Sequence, residues 1–375
     1  GDMVHPYLRR RQGLEAVTYP SADVREVLQR TLGVPIFQEQ VIKLAMVAAG
    51  FSAGEADRLR RSMAAWRRSG ALEQFEEHLI GGMRERGYSE GFARQLYEQI
   101  QGFGEYGFPE SHSASFALLA YVSAWLKCHE PAAFLCALLN SQPMGFYAPA
   151  QLVQDARRHE VEVRAVDVCR SDWESTLEGA ADGAPAVRLG LHQVNGLSRA
   201  GGERLLQARA KAPFTDVDDL ARRAQMSRKD LDALAAAGAL ASLSGHRHRA
   251  RWDVAGIEAA LPLFAHTDAV EAMPLLRRPT EGEDIIADYA SLGLTLRRHP
   301  LALLRTHLAR RRYRTAVSLR ELSSGAQVKI AGLVICRQHP GSAGVVFITL
   351  EDETGQTNVI VWPRLIQRQR RELLQ

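Results

Sequence analysis

The chain has 375 residues, 46% of them hydrophobic and 24% charged, with a net charge of +4, which is ordinary for water-soluble globular protein and allows about two to four domains. No stretch is long and apolar enough to span a bilayer and no apolar signal core opens the chain, so composition excludes a membrane class and points to a cytoplasmic protein. Cys128, Cys136, Cys169 and Cys336 form no C-x-x-C pair, which excludes a zinc knuckle or disulfide framework and fits a reducing compartment.

The weak overall charge hides small arginine clusters: Arg9-Arg10-Arg11, Arg60-Arg61, Arg67-Arg68, Arg157-Arg158, Arg222-Arg223, Arg310-Arg311-Arg312 and Arg370-Arg371. Arginine suits planar, bidentate phosphate contact, although a GC-rich genome would also enrich it. The chain opens on Gly1 and closes on Gln375 inside a charged helical pattern, so both ends read as cuts through a longer protein.

Residues 1–140 read as mostly helical. Ser52-Ala53-Gly54-Glu55 is a capping box. In the helix it opens, Ala56, Leu59, Met63 and Trp66 recur on one side at helical spacing. Arg60, Arg61, Arg67 and Arg68 fall on an adjacent face, which is either a solvated basic face or a phosphate-facing one. Next, Gly102-Phe103-Gly104-Glu105-Tyr106-Gly107-Phe108 alternates glycines with aromatics and leads through Pro109-Glu110-Ser111-His112-Ser113 into an apolar helix. Glycines let backbone N–H groups approach a ligand, and a helix start adds free donors. A capped glycine-rich turn explains the same residues. No parallel strand precedes this run, which argues against a dinucleotide fold. The apolar helix stops near Glu130, before Pro131, which opens another through Leu139.

Residues 141–186 mix turns with strand-like pieces, and Gly179 to Pro185 reads as a linker. Residues 187–250 hold two short helix–turn–helix units. One turn is Val194-Asn195-Gly196-Leu197 and the other Ala237-Gly238-Ala239-Leu240. Each places a glycine between apolar residues, as in tandem helix-hairpin-helix motifs, whose turn offers backbone N–H groups to a DNA phosphate. An ordinary α-hairpin is the alternative. Residues 251–324 read as a proline-broken connector. From 325 the pattern turns to strands at Val328–Val334, carrying Lys329, at Val345–Leu350 and at Thr357–Trp362. The acidic segment Glu351-Asp352-Glu353 reads as a hairpin turn and not as a metal site. Three antiparallel strands and a helix match the first part of an OB-fold with its closing strands absent.

Three segments together carry a family resemblance: Gly33 to Gln40 (GVPIFQEQ), Gly54 to Met63 (GEADRLRRSM) and Tyr106 to Ser113 (YGFPESHS). They resemble the C-family bacterial replicative polymerases, the DNA polymerase III alpha subunits. Asn140 to Tyr147 and Arg188 to Leu191 resemble their error-prone, ImuC-type branch. The resemblance implies a mainly α chain with a C-terminal β piece. Residues 1–20 would be the palm's end, 21–186 the fingers, 187–250 the tandem hairpins, 251–324 a connector and 325–375 a partial OB-fold. It implies nucleotide contacts from Arg60, Arg61, Ser111, His112, Gln40 and Lys43. It implies DNA contacts from Arg67, Arg68, Gly104, Gly107, Asn195, Gly196, Gly238 and Lys329.

The family's catalytic aspartates, which would hold Mg2+ about 3.5–4 Å apart for phosphoryl transfer from a dNTP, have no counterpart cluster here. The resemblance therefore implies a part that grips nucleotide and primer–template DNA and is inactive alone. Glu110 stands where replicative relatives often carry Lys. Ala260-Leu261-Pro262-Leu263-Phe264 keeps the apolar plug of a clamp-binding peptide but lacks its glutamine. That argues against direct sliding-clamp binding and for a Y-family-like partner of the ImuB type, with an ImuA-type protein. Two other classes stay open: a non-catalytic DNA-binding repair module of hairpins plus OB-fold, and a protein-interaction scaffold.

Overall fold

The computed structural model describes residues 4–69, 73–103, 109–145, 147–179, 183–257, 274–339 and 344–374. The chain divides into two compact units, Gly1–Trp125 and Leu126–Gln375.

The first unit is helical: α1 (Val4–Arg11), α2 (Ala22–Leu28), α3 (Gln38–Ala49), α4 (Ala53–Ser69), α5 (Glu73–Glu85), α6 (Glu90–Phe103) and most of α7 (Glu110–His129). Its core gathers one apolar stripe from each of five helices. Val24 and Leu28 come from α2, Val41, Leu44 and Ala48 from α3, Ala56 and Leu59 from α4, Leu79 and Met83 from α5, and Leu96 and Ile100 from α6. Leu44 and Leu59 are essentially sealed, each burial contributing about 2 kcal/mol relative to exposure. The Ser52 box forms as the sequence predicts. Glu55 Oε2 accepts the Ser52 N–H at 2.9 Å and the hydroxyl at 2.7 Å. α7 differs from the other helices: it buries no residue, and Phe116, Leu118, Leu119 and Tyr121 are exposed.

The second unit continues with α8 (Pro131–Asn140), α9 (Pro149–Arg158), β1 (Val163–Arg164), β2 (Thr176–Gly179) and β3 (Pro185–Arg188). β3 lies between β1, parallel, and β2, antiparallel, with Val187 opposite both Val163 and Leu177. Gly179 pairs with Pro185, so the two ends of the segment read as a linker lie on paired strands. Helices α10 (Arg199–Lys211), α11 (Val217–Arg223), α12 (Arg228–Ala236), α13 (Ala241–Ser244) and α14 (Arg247–Gly256) follow. Then come α15 (Glu281–Leu292) and α16 (Pro300–Arg310).

One core unites Leu135, Leu139 and Val153 with Leu189, Leu205, Leu220, Leu234, Val254 and Leu294. The sequence places a boundary at 186/187 and a connector over 251–324. One cluster of buried side chains runs through both: α8 and α9 share it with the hairpin helices, and Leu292 at the end of α15 joins it. Periodicity marks which face of a helix is apolar but not which neighbour covers it.

The C-terminal part holds β4 (Tyr313–Arg314) and β5 (Lys329–Ile330), paired in parallel. An antiparallel meander follows: β6 (Leu333–Gln338), β7 (Val346–Asp352) and β8 (Gly355–Val361), then α17 (Pro363–Arg368) and α18 (Arg370–Leu374). Three strands and a helix agree with the sequence expectation. The first strand begins later, however, and Lys329 sits on β5, outside the meander.

Candidate functional site

Two local arrangements carry the predicted site residues, one in each unit. In the first unit Arg60 and Arg61 lie on the outer turns of α4, with side chains 43% and 68% exposed. Both pair with one carboxylate, that of Asp57, the Arg60 contact being 3.0 Å. The guanidinium of Arg61 and then that of Arg60 hold the Asp57 carboxyl below its usual range. This face is therefore less positive than a count of arginines suggests. Asp57 was visible in the sequence at i−3 and i−4, the spacing that pairs charges on a helix. A cavity of about 420 Å³ opens beside Arg61, lined also by Arg58, Ser62, Glu55, Phe75 and His78. The His78 ring stacks on Phe51 at 4.5 Å.

Ser111 and His112 form the first turn of α7, both exposed, with the His112 ring 4.3 Å from that of Phe116. The turn is anchored from behind. Glu39 at the start of α3 accepts the Glu110 N–H at 2.9 Å, and the Glu110 carboxylate pairs with Arg30 at 2.8 Å. No hydrogen bond or ion pair among the described residues joins Ser111 or His112 to Arg60 or Arg61.

Lys43 is exposed on α3. Gln40 is not available to a ligand, because it is 2% exposed and fully engaged. Its Oε1 accepts the N–H groups of Ile36 and Phe37, and its Nε2 donates to Thr31 Oγ1 at 2.8 Å and to Val27 O. A buried amide satisfies its donors and acceptors internally, so Gln40 shapes the turn into α3. Arg67 and Arg68 fall within α4, but their side chains lie outside the described residues, as do Gly104 and Gly107.

In the second unit the two glycine turns form as predicted, with φ of +87° at Gly196 and +72° at Gly238, a region that favours glycine. They differ in what lies over them. Gly196 is exposed, and a Cβ there would meet only Ala233 Cβ at 3.9 Å. Ser198 caps α10, accepting the Gly201 N–H at 3.0 Å. The N–H groups of Gly196, Arg199 and Ala200 have no partner among the described residues. All three lie at or just before the positive end of a 13-residue helix.

Asp230 holds this turn from below, accepting the Ser198 N–H at 2.8 Å and the hydroxyls of Ser198 and Ser227. Burial works against its ionisation, but these donors outweigh burial and keep its carboxyl below the usual range. Asn195, predicted as a DNA contact, spends its backbone N–H on Ser291 O at 2.8 Å and its amide on Ala290 O. Gly238 is filled from within. Its N–H bonds to Ala235 O, and a Cβ would stand 3.2 Å from Arg247 Nη2. Of the two turns, the first has the exposed glycine, whereas Arg247 lies over the second.

The acidic segment 351–353 closes the β7–β8 hairpin, with Glu351 and Asp352 ending β7 and Glu353 in the turn, and it has cationic partners in place. Arg305 of α16 pairs with Asp352 and Glu353, and His299 lies 3.7 Å from Glu351. Among the described residues no three His, Cys, Asp or Glu side chains group to hold a metal ion. No described helix is long and apolar enough to cross a membrane.

Residues 1–87 match the bacterial DNA polymerase III alpha subunit finger domain, and residues 160–250 match a helix-hairpin-helix motif. Over all of its length the chain is 63% identical to an error-prone DNA polymerase of Methylococcus capsulatus and 64% identical to one of Alkalilimnicola ehrlichii. It is 59% identical to a third, from an Azoarcus species. Along its whole length the chain is similar to error-prone DNA polymerases. It spans 38%, 37% and 36% of the length of those three relatives. Arg60 and Arg61 lie inside the finger match, whereas Ser111 and His112 lie beyond it. The hairpin match takes in both glycine turns and leaves α15 outside.

Proposed function

We propose that this chain is the nucleotide- and DNA-gripping part of an error-prone polymerase of the polymerase III alpha type, acting in damage-induced translesion synthesis. The single observation that carries the reading is the Gly196 turn. Three N–H groups without partners, at the mouth of a capped helix inside a hairpin fold, suit a DNA phosphate and read no base. Arg60 and Arg61 take the triphosphate of the incoming dNTP, where guanidinium groups offset charge that grows in the transition state. Ser111 and His112 flank it. The β6–β8 meander is the opening part of an OB-fold and guides single-stranded template.

Bond making belongs to carboxylates outside this chain, which hold the Mg2+ ions, so the chain alone binds without extending a primer. Residues 260–264, which lack the clamp peptide's glutamine, lie outside the described residues. Recruitment falls to an ImuB-type partner with an ImuA-type protein. The test is binding of a primer–template duplex across a salt series. Several phosphate contacts predict a steep linear fall of log affinity with log salt. A scaffold predicts weak binding with no such slope.

A further inference from the structure

The hairpin match ends at residue 250, yet the two glycine turns are joined through a helix beyond it. Arg247 is 6% exposed. Its Nε donates to Ala236 O at 2.9 Å, at the end of α12, and its Nη2 fills the space over Gly238. Its two terminal nitrogens pair with Asp284 and Asp288 of α15. Those carboxylates are completed by Arg297, 2.6 Å from Asp284, and by the Thr295 hydroxyl, 2.7 Å from Asp288. Toward its other end α15 receives the first hairpin, since Ser291 O accepts the Asn195 N–H at 2.8 Å and Ala290 O accepts the Asn195 amide. From Asp284 to Ser291 is about 10 Å of helix.

A buried guanidinium with two carboxylates is poor value for stability alone, because well-packed apolar residues of similar volume often do as well. Its distinctive property is geometric. A planar fork serves Ala236 O, Asp284 and Asp288 from three separate nitrogens, a spread that the single nitrogen of an ammonium group does not reproduce.

We propose that Arg247 and α15 form a brace that sets the Gly196 turn in register for a DNA phosphate. Arg247 is a positioning residue that touches no DNA. The inference rests on the reading of the first hairpin as the DNA grip, and it adds a helix outside the matched motif to the binding module. The brace couples the second turn, over which Arg247 lies, to the first. The second hairpin thus supports the first.

The test uses the full 375-residue chain carrying Arg247→Lys or Asp288→Asn, with amide exchange at Asn195 and duplex affinity read together. The brace predicts that Asn195 exchanges about tenfold faster while Leu205 and Leu220 keep their protection. It also predicts about tenfold weaker DNA binding at one salt concentration. The salt slope should not change, because no phosphate-neutralising cation is lost. If Arg247→Lys also strips protection from Leu205, Asp288→Asn decides, since it leaves the Asp284 pair intact. An Asn195 exchange rate equal to the parent's in the folded variant, or faster exchange with undiminished DNA affinity, overturns the brace alone. A parent chain that binds no duplex overturns the DNA-grip reading and the inference with it.

Discussion

The Glu39 carboxylate accepts the backbone N–H of Glu110 at 2.9 Å, 71 residues along the chain. The bond fastens the start of α7 to the start of α3 and stations a carboxylate where helix geometry would favour an anion. Arg30, paired with Glu110, offsets the second carboxylate at the same place. The turn bearing Ser111 and His112 thus carries both a structural anchor and a charge that competes with phosphate.

Replacing Glu39 separates these roles. Glu39→Gln keeps an oxygen acceptor and removes the charge, so nucleotide triphosphate should bind about two- to fivefold more tightly. Glu39→Ala removes the acceptor as well, costs about 1 kcal/mol and speeds amide exchange at Glu110. Titration with a fluorescent nucleotide reads the first effect. Unchanged or weaker binding by Glu39→Gln would remove the α7 turn from the phosphate site.

Gln40 answers to stability. Truncation to Ala orphans the N–H groups of Ile36 and Phe37 and the Thr31 hydroxyl in a buried setting. The expected loss is about 2–3 kcal/mol in urea unfolding. A variant as stable as the parent but unable to bind nucleotide would show that the side chain has a ligand role its burial argues against.

The glycine turns should respond differently. Gly196→Ala strains a left-handed position without a clash. It should weaken duplex binding about fivefold with a cost near 1 kcal/mol in stability. Gly238→Ala also crowds Arg247 and should mainly lower the unfolding midpoint. Equal losses of DNA affinity per unit of lost stability would mean that the two turns do not divide the work.

Acid stability gives a fourth prediction. Arg188, and with it Arg164, holds the Glu178 carboxyl down to about 2 from an ordinary 4.5. The folded value is depressed, so the unfolded chain binds more protons between those values. The stabilisation is complete above the unfolded pKa and is lost as pH falls from about 4.5 toward 2. Glu178→Gln should flatten the fall in thermal midpoint across that window and lower the midpoint at pH 7.

What the sequence made legible was local. The Ser52–Glu55 box, the two glycine turns and the acidic hairpin are each set by residues within four positions of one another, and all form. Asp57 was equally local but is invisible to a count of arginines. Gln40 could not be read because its partners at Thr31 and Val27 meet it only when α2 packs on α3. The Arg247 network joins residues 37 and 41 positions apart, through a segment whose prolines and mixed charge look like a connector. Hydrophobic spacing shows that α15 has an apolar face but is silent on what covers it.

The central claim is that α4 grips the triphosphate while the chemistry lies elsewhere in the protein. Its most direct test is single-turnover nucleotide incorporation by the full-length polymerase carrying Arg60→Ala and Arg61→Ala, with duplex affinity measured in parallel. Loss of transition-state charge stabilisation predicts incorporation slower by about 100-fold, with DNA binding within about threefold of the parent. Incorporation at the parental rate, or a loss of DNA affinity that accounts for the whole defect, would contradict it.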